Sequence, residues 1–206
     1  MREYTPEEIE RFSNIYNELQ SAIRTSKAAG TKFRKILREG FKNGYPINFV
    51  PNENCSTPLL SISLWYGKYG LVTLLLDIGA DVNLKDATGR NSLMYAVDKF
   101  RIDETAFKRI LAKTKDINAK DKQGKSALRI LVKQYLLSGV DHLLDCIKLM
   151  LKSGAEPGTL DFSKFSALEL SYTDNVEKLK ILFAETELKN QLCRKEAEIY
   201  EYNYEL

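Results

Sequence analysis

A leucine at the start of an apolar run returns along this chain at Leu59, Leu93, Leu128 and Leu168, at intervals of 34, 35 and 40 residues. A unit of that length cannot bury its own apolar face, so recurrence at a near-constant interval predicts neighbours that stack and share one core. Two further landmarks keep the same register. One is Gly44-Tyr45-Pro46-Ile47-Asn48, repeated as Gly79-Ala80-Asp81-Val82-Asn83, as Lys115-Asp116-Ile117-Asn118 and in part as Gly154-Ala155-Glu156-Pro157. The other is Asp86-Ala87-Thr88-Gly89, repeated as Asp121-Lys122-Gln123-Gly124, with degraded copies at Asn52-Glu53-Asn54-Cys55 and Asp161-Phe162-Ser163-Lys164.

Each landmark has a local physical reason. Leu71, Val72, Leu75 and Leu76 share a helical face, and Gly79 after them suits a left-handed cap that a Cβ would resist. In the Asp-x-x-Gly segments the aspartate can accept from the backbone ahead while the glycine takes positive φ, which predicts a tight turn into the next helix. Thr57-Pro58 reads as a helix start, a hydroxyl to cap followed by a residue with no donor to leave unpaired. The ends differ from the middle. Thr5-Pro6-Glu7-Glu8 has capping-box spacing and precedes Ile9, Phe12, Tyr16, Leu19 and Ile23 on one helical face. Val176, Leu179, Leu182 and Phe183 predict a second helix for the last repeat, and Leu188, Leu192 and Ile199 a further helix that shields the final apolar face.

Taken together, the Thr57-Pro58-Leu59 start, the Gly79-to-Asn83 segment and the Asp-x-x-Gly turns resemble the ankyrin repeat, over about 150 residues of the chain. The resemblance implies an all-α solenoid of stacked helix-turn-helix units with β-hairpin-like tips and divergent capping helices. It predicts one domain, 1–206: a divergent N-terminal cap and first repeat over 1–50, repeats over 51–184, and a C-terminal capping helix over 185–206. Ser92 and Ala127 stand where the family has proline, a position that tolerates proline without needing it.

Composition narrows the function classes. No run approaches 18 apolar residues, so no membrane span is expected, and Met1-Arg2-Glu3-Tyr4-Thr5 lacks the apolar core of a signal peptide. Cys55, Cys146 and Cys193 are odd in number, far apart and without metal-site spacing, which fits reduced thiols in a cytoplasmic protein, or in a host cytosol for a secreted effector. The net charge of +3 is small, but it is unevenly spread. From Asp81 to Lys133 there are 13 Lys and Arg against 7 Asp and Glu, whereas Glu156 to Leu206 carry 6 against 11. An uneven solvated surface and a polarised binding surface are both consistent with this.

No catalytic constellation emerges. His142 is the only histidine, no Gly-x-Ser-x-Gly elbow accompanies it, and it falls where the third interval lengthens, which predicts a loop. Gly67-Lys68-Tyr69-Gly70 lacks the lysine followed by Ser or Thr of a phosphate loop and sits where the family turns between its two helices. Asp103-Glu104 holds the analogous place in the next repeat. No enzyme activity, cofactor, metal or small-molecule substrate is expected. Asn83 and Asn118 stand in the hairpin context that asparaginyl hydroxylases accept in ankyrin repeats, although an asparagine there also stabilises the hairpin through backbone bonds.

In the family, partners contact hairpin tips and the inner face of each first helix. Carried onto this sequence, those positions are Glu53, Asn54, Ser56, Leu64 and Trp65 in the second repeat and Lys85, Ala87, Thr88, Arg90, Asp98 and Lys99 in the third. The fourth supplies Lys120, Lys122, Gln123, Lys125, Lys133 and Gln134, and the last Phe162, Ser163 and Phe165. The basic tips predict an acidic protein partner bound by a monomer, with Trp65 either adding buried area to that contact or packing between first helices. The basic tips lack interleaved aromatics, so nucleic acid ranks low. The function expected is a protein-binding scaffold or adaptor; the alternative is a bacterial effector or immunity-type inhibitor that blocks one target protein.

Overall fold

The computed structural model describes residues 4–25, 29–51, 57–99, 101–157 and 173–204, and its fold class is the all-α repeat solenoid that the sequence predicts. The helices are α1 (Pro6–Thr25), α2 (Ala29–Lys42), α3 (Leu59–Trp65), α4 (Tyr69–Asp77), α5 (Ser92–Val97), α6 (Glu104–Lys113), α7 (Ala127–Ser138), α8 (Asp141–Lys152) and α9 (Thr173–Tyr204). Among the described residues there is no strand, and one isolated antiparallel bridge pairs Lys120 with Ser126. The chain divides into two compact units, 1–127 and 128–206.

In the first unit, helices pair as α1 with α2, α3 with α4 and α5 with α6, while α1 packs on α3, α3 on α5 and α4 on α6. Successive pairs therefore stack, and the buried Leu59, Leu75, Leu76, Leu93, Phe107 and Ile110 lie in that stack. The turn between helix pairs is cut by glycine. Gly79 has φ +88°, the Ala80 amide donates to the Leu75 carbonyl at 2.9 Å and the Gly79 amide to Leu76 at 3.4 Å, which together close a left-handed helix cap. Gly44, Gly67 and Gly154 end α2, α3 and α8 with the same pair of bonds. Helix α6 has Thr114 instead, in extended conformation, because Thr114-Lys115 stands where Gly79-Ala80 does.

The capping box at the N-terminus is formed: the Glu8 amide donates to Thr5 Oγ1 at 3.2 Å and the Thr5 amide to Glu8 Oε2 at 3.0 Å. Phe12, Tyr16, Leu19 and Ile23 are buried, but Ile9 is 42% exposed. One turn before Phe12 the buried face is already filled by Tyr4, whose ring meets Phe12 and Phe49 edge to face at 5.6 and 5.9 Å, leaving no room for Ile9. Tyr45 completes this aromatic cluster against Phe12 and Phe49, and burial pushes its hydroxyl well above the ordinary tyrosine range.

Two further expectations change. Thr57 does not cap α3: Pro58 occupies the capping position, no side chain caps the helix, and the Thr57 carbonyl accepts from Tyr16 Oη at 2.7 Å. Proline's fixed φ already sets the entry angle. In the second unit, α7 and α8 bury Leu131, Tyr135, Leu143 and Ile147, and α9 buries Val176, Leu179 and Phe183. Helix α9 runs unbroken from Thr173 to Tyr204 where the sequence suggested two helices meeting near 184. Ala184-Glu185-Thr186-Glu187 contains neither glycine nor proline, so nothing stops the ladder there. Leu188 on it is 59% exposed, while the side chains of Leu192 and Ile199 lie outside the described residues.

Candidate protein-binding site

The third hairpin tip, between α4 and α5, is organised around one carboxylate. Asp86 is buried, and its Oδ1 accepts from the Thr88 amide at 2.8 Å, the Arg90 amide at 2.9 Å and Thr88 Oγ1 at 2.7 Å. Its other oxygen, Oδ2, accepts from Tyr95 Oη at 2.5 Å, so the turn is bonded to α5. Burial alone would raise this carboxyl, but the hydrogen bonds from Tyr95, Thr88 and Arg90 outweigh it and hold the group below the usual carboxylate range. The Tyr95 hydroxyl shifts the opposite way, raised by burial and by its bond to Asp86.

Tyr95 in turn carries the rest of the site. The Arg90 guanidinium lies over its ring, 4.5 Å from the centroid, and pairs with Asp98 Oδ2 at 2.8 Å. Trp65, the only tryptophan, meets the same ring edge to face at 6.1 Å. Trp65 is 48% exposed, and Lys99 Nζ stands 4.4 Å from its ring centroid. A half-exposed cation over an indole is worth about 0.5–1 kcal/mol. Trp65 and Lys99 lie six residues after Leu59 and Leu93 respectively, so the contact joins equivalent positions of adjacent repeats.

The fourth tip repeats the turn. Asp121 Oδ1 accepts from the Gln123 and Lys125 amides at 2.9 and 2.8 Å, and the Gly124 amide donates to the Asp121 carbonyl. The two tips touch through their backbones, the Lys122 amide donating to the Thr88 carbonyl at 2.8 Å. Around them Lys85, Lys120 and Lys122 are exposed and Lys125 half-buried, and among the described residues no carboxylate pairs with any of the four.

Of the site residues expected from sequence, the first unit thus brings together Trp65, Arg90 and Lys99 through side-chain contacts, with Lys85, Lys120, Lys122 and Lys125 on the two linked tips. Arg90 is not a free tip charge, being committed to Asp98 and Tyr95. Leu64 is buried on α3 and offers nothing to a partner, whereas Trp65 at the end of the same helix is exposed. Lys133 is exposed on α7 in the second unit. Phe162 and Phe165, with Glu53, Asn54, Ser56 and Ser163, lie outside the described residues. Sequence reasoning passed over Tyr95, whose position is held by Ser61 and Ile130 in the flanking repeats; a hydroxyl-bearing aromatic nine residues after the turn aspartate was the available signal.

The remaining candidates for chemistry have structural explanations. His142 is on the first turn of α8 and not in a loop, since Gly139 at φ +63° ends α7 and the helix restarts at Asp141. Its Nε2 lies 3.9 Å from Sγ of Cys146, a buried free thiol one turn on. Among the described residues no group of three or more His, Cys, Asp and Glu could hold a metal, and no helix is long and apolar enough to cross a membrane. Asn83 Oδ1 accepts from the Lys115 amide at 2.8 Å and its Nδ2 donates to the Lys113 carbonyl at 3.2 Å, so this side chain joins two repeats.

The family model described as ankyrin repeats matches residues 60–161 in three copies. Ankyrin repeats generally mediate protein–protein interaction and are typically not catalysts. The glycine-capped helix pairs, the aspartate-centred tips and the matched copies agree in register, and the chain is an ankyrin-repeat protein.

Proposed function

We propose that this chain is a non-catalytic scaffold that binds an acidic protein surface through the tips of its third and fourth repeats and the first helices α3 and α5. The observation that carries this reading is Trp65, held half-exposed by Tyr95 and Lys99 beside tips whose lysines have no described carboxylate partner. An aromatic anchor gives buried area, and surrounding cations give on-rate and choice of partner.

The test is affinity for a partner isolated by pull-down and cross-linking. Reversing Lys85, Lys120 and Lys122 to glutamate together should weaken binding at least about a hundredfold, because each change turns attraction into repulsion. Association should slow as salt rises, exposed charges being screened over about 8–10 Å. Reversing Lys108, Lys113 and Lys180, which lie on second helices and on α9, should leave affinity within about threefold. Equal losses from both sets would mean generic charge attraction and would defeat the proposal.

A further inference from the structure

We infer that the partner segment seated at Trp65 carries a carboxylate next to a bulky apolar side chain, and that this pair displaces Lys99 from the indole ring. The inference rests on the protein-binding reading above and concerns what the bound segment must contain. In the free protein the Lys99 ammonium lies 4.4 Å from the Trp65 centroid, while Asp98, the adjacent carboxylate, is taken by Arg90. Among the described residues no carboxylate pairs with Lys99, so the ring is its one described partner.

Binding at this point is therefore an exchange. A purely apolar ligand that covers the ring leaves the ammonium desolvated and without a counter-ion, which is unfavourable. A purely acidic ligand draws Lys99 away, since a charge-assisted hydrogen bond is stronger than an exposed cation over a ring, but it leaves the indole bare. A segment with both groups satisfies both: the carboxylate takes the ammonium and the apolar side chain takes the vacated ring face. Tyr95 stays fixed throughout, bonded to Asp86 and covered by Arg90, so the ring keeps its edge-to-face support. Until such a segment arrives, Lys99 covers an exposed apolar surface and so limits unselective association.

Trp65 is the only tryptophan, so its emission reports on this site alone. The full-length chain is titrated with three acetylated pentapeptides, Glu-Glu-Phe-Glu-Glu, Glu-Glu-Ala-Glu-Glu and Lys-Lys-Phe-Lys-Lys. The first should shift the emission saturably and bind at least about tenfold tighter than either of the others, and Lys99→Gln should remove most of that advantage while Lys99→Arg keeps it. Equal binding of the phenylalanine and alanine peptides, an unchanged affinity in Lys99→Gln, or no saturable shift would overturn the inference. The wider reading fails separately: a natural partner that loses affinity on reversal of Lys85, Lys120 and Lys122 but not in Lys99→Gln sinks the exchange alone, whereas one indifferent to both sinks the scaffold reading too.

Discussion

The third and fourth hairpin tips are built on the same four-residue turn, yet they are anchored differently. In both, an aspartate carboxylate accepts from two amides ahead and a glycine closes the turn at positive φ. Only at the third does the second carboxylate oxygen reach a tyrosine on the following helix. At the fourth the equivalent helix position is Ile130, which has nothing to donate. The third tip is thereby fastened to the ring that supports Trp65, while the fourth is a turn that carries lysines. The same Asp-x-x-Gly turn has produced a rigid support in one place and a charge-bearing loop in the other, and the residue that decides between them lies outside the turn motif.

The sharpest way to break this comparison is to remove each aspartate. Asp86→Ala takes the partner from the Tyr95 hydroxyl and two amides in a part-buried setting and should destabilise the first unit by about 2 kcal/mol, against about 1 kcal/mol for Asp121→Ala, read by urea unfolding. Equal losses would mean that the tyrosine bond contributes nothing. A smaller contrast separates the glycines. A Cβ at Gly89 would stand 3.1 Å from the Lys122 amide nitrogen, whereas one at Gly124 meets nothing within 4 Å. Both Gly→Ala changes force a side chain into the left-handed region, so Gly124→Ala should cost about 1 kcal/mol and Gly89→Ala about 2 kcal/mol. Gly89→Ala should in addition expose the Lys122 amide to hydrogen exchange.

The finest test uses acid. Because the folded Asp86 carboxyl lies below its unfolded value of about 3.9, the stability it supplies is fully present above that pH and is lost as pH falls through the folded value. Tyr95→Phe removes the first of the bonds that lower it, so the folded value should rise toward the unfolded one and the acid transition should begin at a higher pH. An acid limb that coincides with the unmodified chain would show that the tyrosine does not set this carboxyl. The same substitution should alter Trp65 emission only slightly, since the ring remains in place.

Much of the frame was legible because it depends on residues with one good use. Gly79 at a helix end, Asp86 and Asp121 three residues before a glycine, and Thr5 with Glu8 each describe a local geometry that the fold kept. What misled the reading was competition for the same space. Ile9 has the right helical spacing, but Tyr4 reaches the core first, and Leu64 rather than Trp65 took the buried position on α3. Chain termination was equally hard to read, since a helix such as α9 continues through any stretch that does not forbid it. At the site, charge at the tips was visible, but Arg90's engagement was not, because it depends on Tyr95 and Asp98 meeting across a turn and a helix.

The asparagines between repeats have a consequence for how the first unit comes apart. Asn48 holds the Asp81 amide at 2.8 Å, and Asn83 holds the Lys115 amide at the same distance, so each hairpin is latched to the next by one side chain. A latch of this kind links the melting of one repeat to the fraying of its neighbour, and it gives every joint its own gauge. The Asp81 and Lys115 amides should therefore act as a serial record of unravelling, the order in which they lose protection naming the end from which the stack opens.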